Sequence, residues 1–337
     1  MTGGICQDVY AGGAARMKFS RCGVIIVMPV YEDGDASSRL FRELASLPGD
    51  KVFVVAVDDG SVCHPLEITS LENAGVEGVI LRLRRNVGHQ RAIAIGLGYV
   101  SEHIQPHHLT VVMDSDGEDL PSSIAVLLEQ LKNERVDVAV ARRRKRIESL
   151  SFKVCYVVYK HLFRMLTGRF ISFGNFMALK PHAVRRLVSM QETPIHVAGA
   201  VLASKLRLSM CPLNRGPRYA GQSRMNFVGL ALHGFKALMV FAEDVLVRVG
   251  IVCAVIATFS VAGAIAAIVL KLMGYSTPGW FSVAMGILVL IFLQTGALAL
   301  MTLMLSGIVR EGTVVSNMAY QDFIDRIYQT ASRQEKC

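Results

Sequence analysis

Several common catalytic signatures are missing from this sequence, and each absence closes a route. There is no Gly-x-x-x-x-Gly-Lys-Ser/Thr loop, and no Gly-x-Gly-x-x-Gly follows the first apolar run. P-loop nucleotide hydrolysis and Rossmann-type dehydrogenation therefore lose their main support. Neither His-Glu-x-x-His nor Cys-x-x-Cys occurs. The seven cysteines are scattered and odd in number, which argues against a disulfide framework and fits a reducing compartment. His103, His107 and His108 cluster in HIQPHH, a spacing that reads as a turn at a helix end. Residues 1–20 lack the apolar core of about 7–15 residues that a secretory signal needs. Residues 1–22 are therefore expected to form a flexible tail, with Met17 as an alternative start. Zinc-finger spacing and aromatic RNA-binding signatures are also lacking, so nucleic acid is not expected as a partner.

Acidic residues are in deficit: 36 Lys and Arg against 27 Asp and Glu give a net charge of +9. A basic surface suits nucleic acid, anionic lipid or phosphate-bearing substrates, and long apolar runs near the C-terminus favour the last two. Hydrophobic residues make up 52% of the 337-residue chain, yet 19% of it is charged. That mixture implies two unlike segments joined end to end.

The first segment alternates. Short β-branched apolar runs at 23–30, 51–58, 76–83, 109–114 and 136–141 predict five strands. Helix-like stretches lie between them at about 36–47, 65–74, 88–103 and 121–133, the last opened by Pro121. Strands alternating with helices imply an α/β fold with a mostly parallel sheet covered on both faces. Further helices are predicted over 150–167, 181–190 and 194–205, followed by a strand-like start in LRLSMC. Residues 224–248 mix apolar residues with sparse charges at helical spacing. They predict a helix lying in a membrane interface, with a core-packing helix as the alternative.

Residues 249–270 carry no charge and would make a helix about 33 Å long at about 1.5 Å per residue, matching a bilayer core of about 30 Å. Residues 281–309 form a second uncharged stretch, with a span expected over about 281–307. Arg248 and Arg310 flank the pair, while the hairpin between them carries only Lys271. The positive-inside rule then predicts a multi-pass protein of the inner (plasma) membrane, with the α/β domain and both termini cytoplasmic. Residues 310–337 are expected to be a cytoplasmic tail.

Polar residues gather where the predicted strands end, which is where open α/β sheets bind ligands. Pro29, Tyr31 and Glu32 close the first strand, Asp58 and Asp59 the second, Asp114 and Asp116 the fourth. Any one of these could simply be a turn; together they predict a site. Two carboxylates separated by one residue at a strand end can share a hard cation. Mg²⁺ or Mn²⁺ is expected there, neutralising a leaving diphosphate.

Met28-Pro29-Val30-Tyr31-Glu32, Val57-Asp58-Asp59-Gly60-Ser61, Arg85-Asn86-Val87-Gly88-His89 and Met113-Asp114-Ser115-Asp116-Gly117-Glu118-Asp119-Leu120-Pro121 resemble the motifs of family 2 glycosyltransferases with the GT-A fold. The similarity is to the polyprenyl-phosphate group, from about Val24 to Arg310. It implies a GT-A catalytic domain over 23–223 plus a two-helix transmembrane hairpin. It also implies inverting transfer from a nucleotide-diphosphate sugar to an undecaprenyl- or dolichyl-type phosphate, in cell-envelope glycan or glycolipid synthesis. By that resemblance Pro29, Tyr31, Glu32, Asp58, Asp59, Asn86 and Gly88 bind the nucleotide sugar. Asp114 and Asp116 hold the metal and are catalytic together with Asp119, a secondary metal or acceptor contact, and Arg215, Arg218, Ser223 and Arg224 meet the acceptor phosphate. The basic run 142–146 either reaches phosphate and the anionic leaflet or is a solvated loop. Homo-oligomerisation is left open.

One departure bears on the acceptor. Relatives often carry Asp-x-Gly-Asp where this chain has Ser172-Phe173-Gly174-Asn175. A phosphate monoester is largely dianionic at pH 7 and can attack without a base, whereas a hydroxyl needs one. The missing carboxylates thus favour a lipid phosphate. A transferase acting on a non-phosphorylated lipid, or a degenerate scaffold of a glycan pathway, is the alternative. Processive polysaccharide synthases need a Gln-x-x-Arg-Trp segment, and the one tryptophan here, Trp280, stands elsewhere.

Overall fold

The computed structural model describes residues 22–49, 51–143, 150–219, 227–275, 277–312 and 320–331. They fall into two compact units, one from 22–152, 171–240 and 320–331, the other from 153–170 and 241–312.

The first unit is built on β1 (Val24–Val30), α1 (Gly34–Ala45), β2 (Val52–Asp58), α2 (Ile68–Ala74), β3 (Glu77–Leu83), α3 (His89–His103), β4 (Leu109–Val112), α4 (Ile124–Leu131) and β5 (Val138–Arg143). Beyond α5 (Leu150–Thr167) come β6 (Met177–Leu179), α6 (Pro181–Val188), α7 (Val197–Ala203), β7 (Leu208–Leu213) and α8 (Phe227–Met239). The strand order is β7-β5-β6-β4-β1-β2-β3, with β8 (Ile324–Gln329) beside β3. β1 runs parallel to both β2 and β4, so the three strands that end in carboxylates deliver them to one edge.

The apolar runs become strands because both faces of the sheet are covered. All seven residues of β1 are buried. Ile25 and Val27 enter one core with Ala92, Ile93 and Val100 of α3. Val24, Ile26 and Met28 enter the other with Leu40, Phe41 and Leu44 of α1. Alternate side chains point to opposite faces, so a continuous apolar run is what a doubly covered strand requires. A Cβ at Gly96 of α3 would stand 2.6 Å from Val27 Cγ1, so this close approach of helix to sheet depends on glycine.

Two strands escaped the sequence reading. β6 is three residues long and antiparallel to both β4 and β5, too short for any periodicity to show. β8 corrects the tail expected over 310–337. It pairs antiparallel with β3, and Thr330 N donates to Gly78 O at 3.1 Å. Ile324 and Ile327 pack on one core and Tyr328 on the other. The segment IDRIYQ has a weak strand pattern of its own and is fixed by the edge that β3 offers.

The second unit holds two long helices, α9 (Ala242–Leu272) and α10 (Trp280–Gly312). Their most apolar stretches have mean hydropathies of 2.5 and 2.3, and both are long and apolar enough to cross a membrane. Ser260 Oγ of α9 donates to Leu288 O of α10 at 2.5 Å, and Gly263 lies against Leu288. Ile251, Phe259, Ile265, Leu290 and Leu303 stay exposed, an apolar surface that water does not favour. The helix expected over 224–248 is broken. α8 stops at Met239, and Glu243 and Asp244 form the first turn of α9, where acidic side chains suit the positive end of the helix dipole.

Candidate functional site

The first acidic pair is sealed by the backbone. Asp58 is fully buried. Its carboxylate accepts from Ser61 N at 3.0 Å and Leu66 N at 3.3 Å, and Arg82 Nε lies 3.4 Å away. Asp59 accepts from Val87 N at 2.7 Å and Gly88 N at 2.9 Å. Its burial raises its pKa against the pull of those two amides. Gly60 turns the chain between them at φ +71°, and a Cβ there would meet the Arg85 carbonyl carbon at 2.6 Å. This close approach joins the β2 turn to the loop that carries Asn86 and Gly88.

Glu32, at φ 50°, clasps the following loop. Its carboxylate accepts from Val62 N at 2.6 Å, Cys63 N at 3.0 Å and His64 N at 2.6 Å. Those amides lower its pKa below the ordinary value. Pro29 is buried within β1 opposite Val57. Of the residues expected around the nucleotide, Tyr31 and Asn86 are the exposed side chains. A surface cavity of about 280 Å³ borders the Glu32-held loop through Cys63 and His64, and its lining does not include Asp114 or Asp116.

The second acidic pair is held differently. Met113 N donates to Val27 O at 3.1 Å, continuing the ladder of β4 by one residue, and the chain then turns through Asp114–Asp119. Asp114 N donates to Asp119 Oδ2 at 3.0 Å, and Glu118 N to Asp116 Oδ1 at 3.0 Å. Across this turn lies the loop after β7. Gly216 N donates to Glu118 O and Tyr219 N to Asp116 O, each at 2.9 Å. Arg218 Nη2 reaches Asp116 Oδ2 at 2.6 Å. Arg215 pairs with Glu118 and approaches Asp114 Oδ2 at 3.6 Å and Asp119 Oδ1 at 3.8 Å. Burial and the neighbouring Asp114 raise the pKa of Asp116, against the two guanidiniums.

Three contributors went unassigned in the sequence. His89 Nε2 lies 3.2 Å from Asp114 Oδ1 and 3.1 Å from Asn175 Nδ2. Desolvation opposes its charge, yet Asp114, Asp116 and Asp119 raise its pKa above the usual value. Its place at the end of the quoted Arg-Asn-Val-Gly-His motif was the available signal. Asn175 thus stands at the acidic turn through His89. Tyr219 hydrogen-bonds Glu43 and stacks under the Arg39 guanidinium at 4.1 Å, and burial pushes its pKa up to about 12. Nothing in the spacing of Glu43 and Tyr219 announces that pair. Ser223, Arg224 and residues 144–146 lie outside the described residues.

Asp114 and Asp116 offer hard oxygen donors. Among the described residues no group of three His, Cys, Asp or Glu side chains is gathered tightly enough to hold a metal alone. That donor set fits a cation of the Mg²⁺ or Mn²⁺ kind, which takes one or two carboxylates and completes its shell with phosphate oxygens and water.

A mixed, mostly parallel sheet with flanking helices, bearing acidic turns at the carboxyl ends of its central strands, is the GT-A architecture. Residues 25–184 match the family model described as Glycosyl transferase family 2. The chain is 24% identical over 320 residues to "Uncharacterized glycosyltransferase YkoT" of Bacillus subtilis (strain 168), covering 90% of each chain. It is 25% identical over 258 residues to the undecaprenyl-phosphate 4-deoxy-4-formamido-L-arabinose transferase of Shewanella sediminis, covering 74% of this chain and 76% of that one. Among solved structures, glucosyl-3-phosphoglycerate synthase from Mycobacterium tuberculosis in complex with Mn²⁺, UDP-glucose and phosphoglyceric acid superposes with a TM-score of 0.48. Its sequence is 15% identical, and the match covers 67% of this chain and 80% of that one.

Proposed function

We propose that this chain is a membrane-anchored, inverting, metal-dependent glycosyltransferase that moves a sugar from a nucleotide-diphosphate sugar to a polyprenyl phosphate. The observation that carries this reading is the convergence of Arg215 and Arg218 on the Asp114–Asp119 turn. Guanidinium forks recognise phosphate oxygens bidentately, and here two of them stand beside the carboxylates suited to a diphosphate-bound cation. A bound Mg²⁺ or Mn²⁺ would supply neutralisation of the departing diphosphate. Asp114 and Asp116 would hold it, Asp119 would fix the turn through the Asp114 amide, and Tyr31 and Asn86 would face the nucleotide. Asp58, Asp59, Gly88 and Glu32 would shape that pocket through the backbone they bind.

Asn175 supports a phosphate acceptor over a hydroxyl. It offers no carboxylate to take a proton, and an attacking phosphate dianion needs none. The Shewanella relative, by its name, acts with undecaprenyl phosphate. The chain's last strand supports the anchoring. β8 follows α9 and α10 yet belongs to the same sheet as β1, an arrangement compatible with a hairpin that enters the membrane and returns on the same side. The basic flanks at Arg248 and Arg310 favour the cytoplasmic side for that sheet.

Acceptor screening tests the reading. Purified protein with Mn²⁺ and a panel of nucleotide sugars should glycosylate a polyprenyl phosphate and leave the dephosphorylated prenol untouched. Equal transfer to both would assign a hydroxyl acceptor, and nucleotide binding without transfer to either would favour the scaffold.

A further inference from the structure

The geometry points to a part for the chain's last strand in the donor site: Tyr328 of β8 is a positioning residue that sets Arg82, and through Arg82 the Asp58 turn beside the nucleotide. This rests on the reading above, in which the turns after β2 and β3 shape the nucleotide pocket.

Arg82 stands near the end of β3. Its Nη2 donates to Leu66 O at 2.9 Å. Its Nε lies 3.4 Å from Asp58 Oδ2 but makes no hydrogen bond among the described residues. The aim of the guanidinium therefore rests on its two outer nitrogens. Nη1 donates to the Tyr328 hydroxyl at 3.4 Å, and the Tyr328 ring lies 5.0 Å from the guanidinium carbon, within cation–π range. Beyond Arg82, buried Asp58 accepts from Ser61 N and Leu66 N, and Ser61 Oγ accepts from Glu32 N at 2.8 Å. A continuous path of polar contacts thus runs from β8 to the carboxyl ends of β2 and β1.

The same segment brackets the loop that carries Asn86. Before the loop, Phe323 O accepts from Arg84 N at 3.0 Å and Ile324 O from Arg84 Nε at 3.3 Å. After it, the Tyr320 ring lies against Gly98 of α3, so close that a Cβ there would stand 2.9 Å from Tyr320 Cδ1. The register of β3 with β8 shifts between Arg82 and Leu83, an irregularity of the kind that re-aims a side chain beside a site. A strand that only covered the edge of β3 would need its ladder and no hold on Arg82. Because β8 follows α9 and α10 in the chain, the donor pocket reaches this geometry only once the chain beyond both apolar helices has been made.

Calorimetry on the full chain in detergent tests this, with UDP, GDP, dTDP and ADP, each with Mn²⁺. Tyr328→Ala should weaken the nucleotide that the wild type binds by about tenfold, the size of a lost cation–π contact with its hydrogen bond. Tyr328→Phe, which keeps the ring, should recover most of that affinity. Arg82→Gln should match Tyr328→Ala, and the double variant should lose little more, because the two residues act on one path. Ile327→Ala is the control: Ile327 packs on the core opposite Tyr328, so its loss should lower the melting temperature and leave nucleotide affinity unchanged. Unchanged affinity in Tyr328→Ala or in Arg82→Gln overturns the assignment. So does a loss in Ile327→Ala as large as that in Tyr328→Ala, which would make β8 a structural edge alone. If the wild type binds none of the four nucleotides, the donor reading itself falls.

Discussion

Asp58–Asp59 and Asp114–Asp116 are two acidic pairs at the carboxyl ends of β2 and β4, the strands on either side of β1, and they are held by different balances of donors. The oxygens of the first pair accept backbone N–H groups from Ser61, Leu66, Val87 and Gly88. Those donors cannot leave without unmaking the turns that define the pocket. In the second pair, Asp116 accepts a single amide, that of Glu118, and His89 stands beside Asp114; the other donors facing the two carboxylates are guanidiniums on long side chains of one loop, which can rotate away. Residue type and strand-end position are shared, so neither separates architecture from exchangeable chemistry. The kind of donor does: an amide fixed in the backbone makes a carboxylate structural, and a mobile cation leaves it available to another cation.

The largest expected effect follows from the available pair. Asp116→Asn should lower transfer about a hundredfold or more, a loss of roughly 3 kcal/mol of transition-state stabilisation, with an unchanged circular dichroism spectrum. Transfer at the wild-type rate would break the comparison by making Asp116 dispensable. Asp58→Ala should act on stability. It removes the carboxylate beside Arg82 and leaves two amides without an acceptor, at a cost of about 3 kcal/mol, seen as a lower denaturation midpoint. An unchanged midpoint would mean that the first pair is not structural.

The smallest effect is a pH signature that sharpens the contrast. Glu32, clasped by amides, has a lowered pKa, so its contribution to stability is present above its ordinary value of 4.5 and is lost as pH falls through the folded value. The gap in melting temperature between wild type and Glu32→Gln should therefore be full at neutral pH and close in acid. Asp116 has a raised pKa, so the sign reverses: its ionised form costs stability as pH rises past the ordinary 3.8. Without metal, Asp116→Asn should gain on the wild type as pH rises. Parallel pH profiles for the two variants would contradict the distinction drawn here.

Much of the fold was legible because short apolar runs can do little else when helices alternate with them. The five strands over 23–141 appear in the structure as β1 to β5, and the helix 150–167 appears with those bounds. The strand-end carboxylates were legible for a related reason: a parallel sheet places the carboxyl ends of β1, β2 and β4 together whatever the intervening loops do. β6, β8 and the Tyr219–Glu43 contact were not, because each depends on a partner far away in the chain.

The sequence by itself determined the two unlike segments, the order of β1 to β5 and the helices between them, and the edge at which the acidic residues collect, since all of these follow from local hydrophobic pattern. Only the tertiary structure decided how each carboxylate is held. Asp59 is matched to the amides of Val87 and Gly88, while Asp116 is matched to the guanidinium of Arg218, 102 positions later. The choice between a fixed donor and a movable one is made by packing, and no spacing within a motif records it.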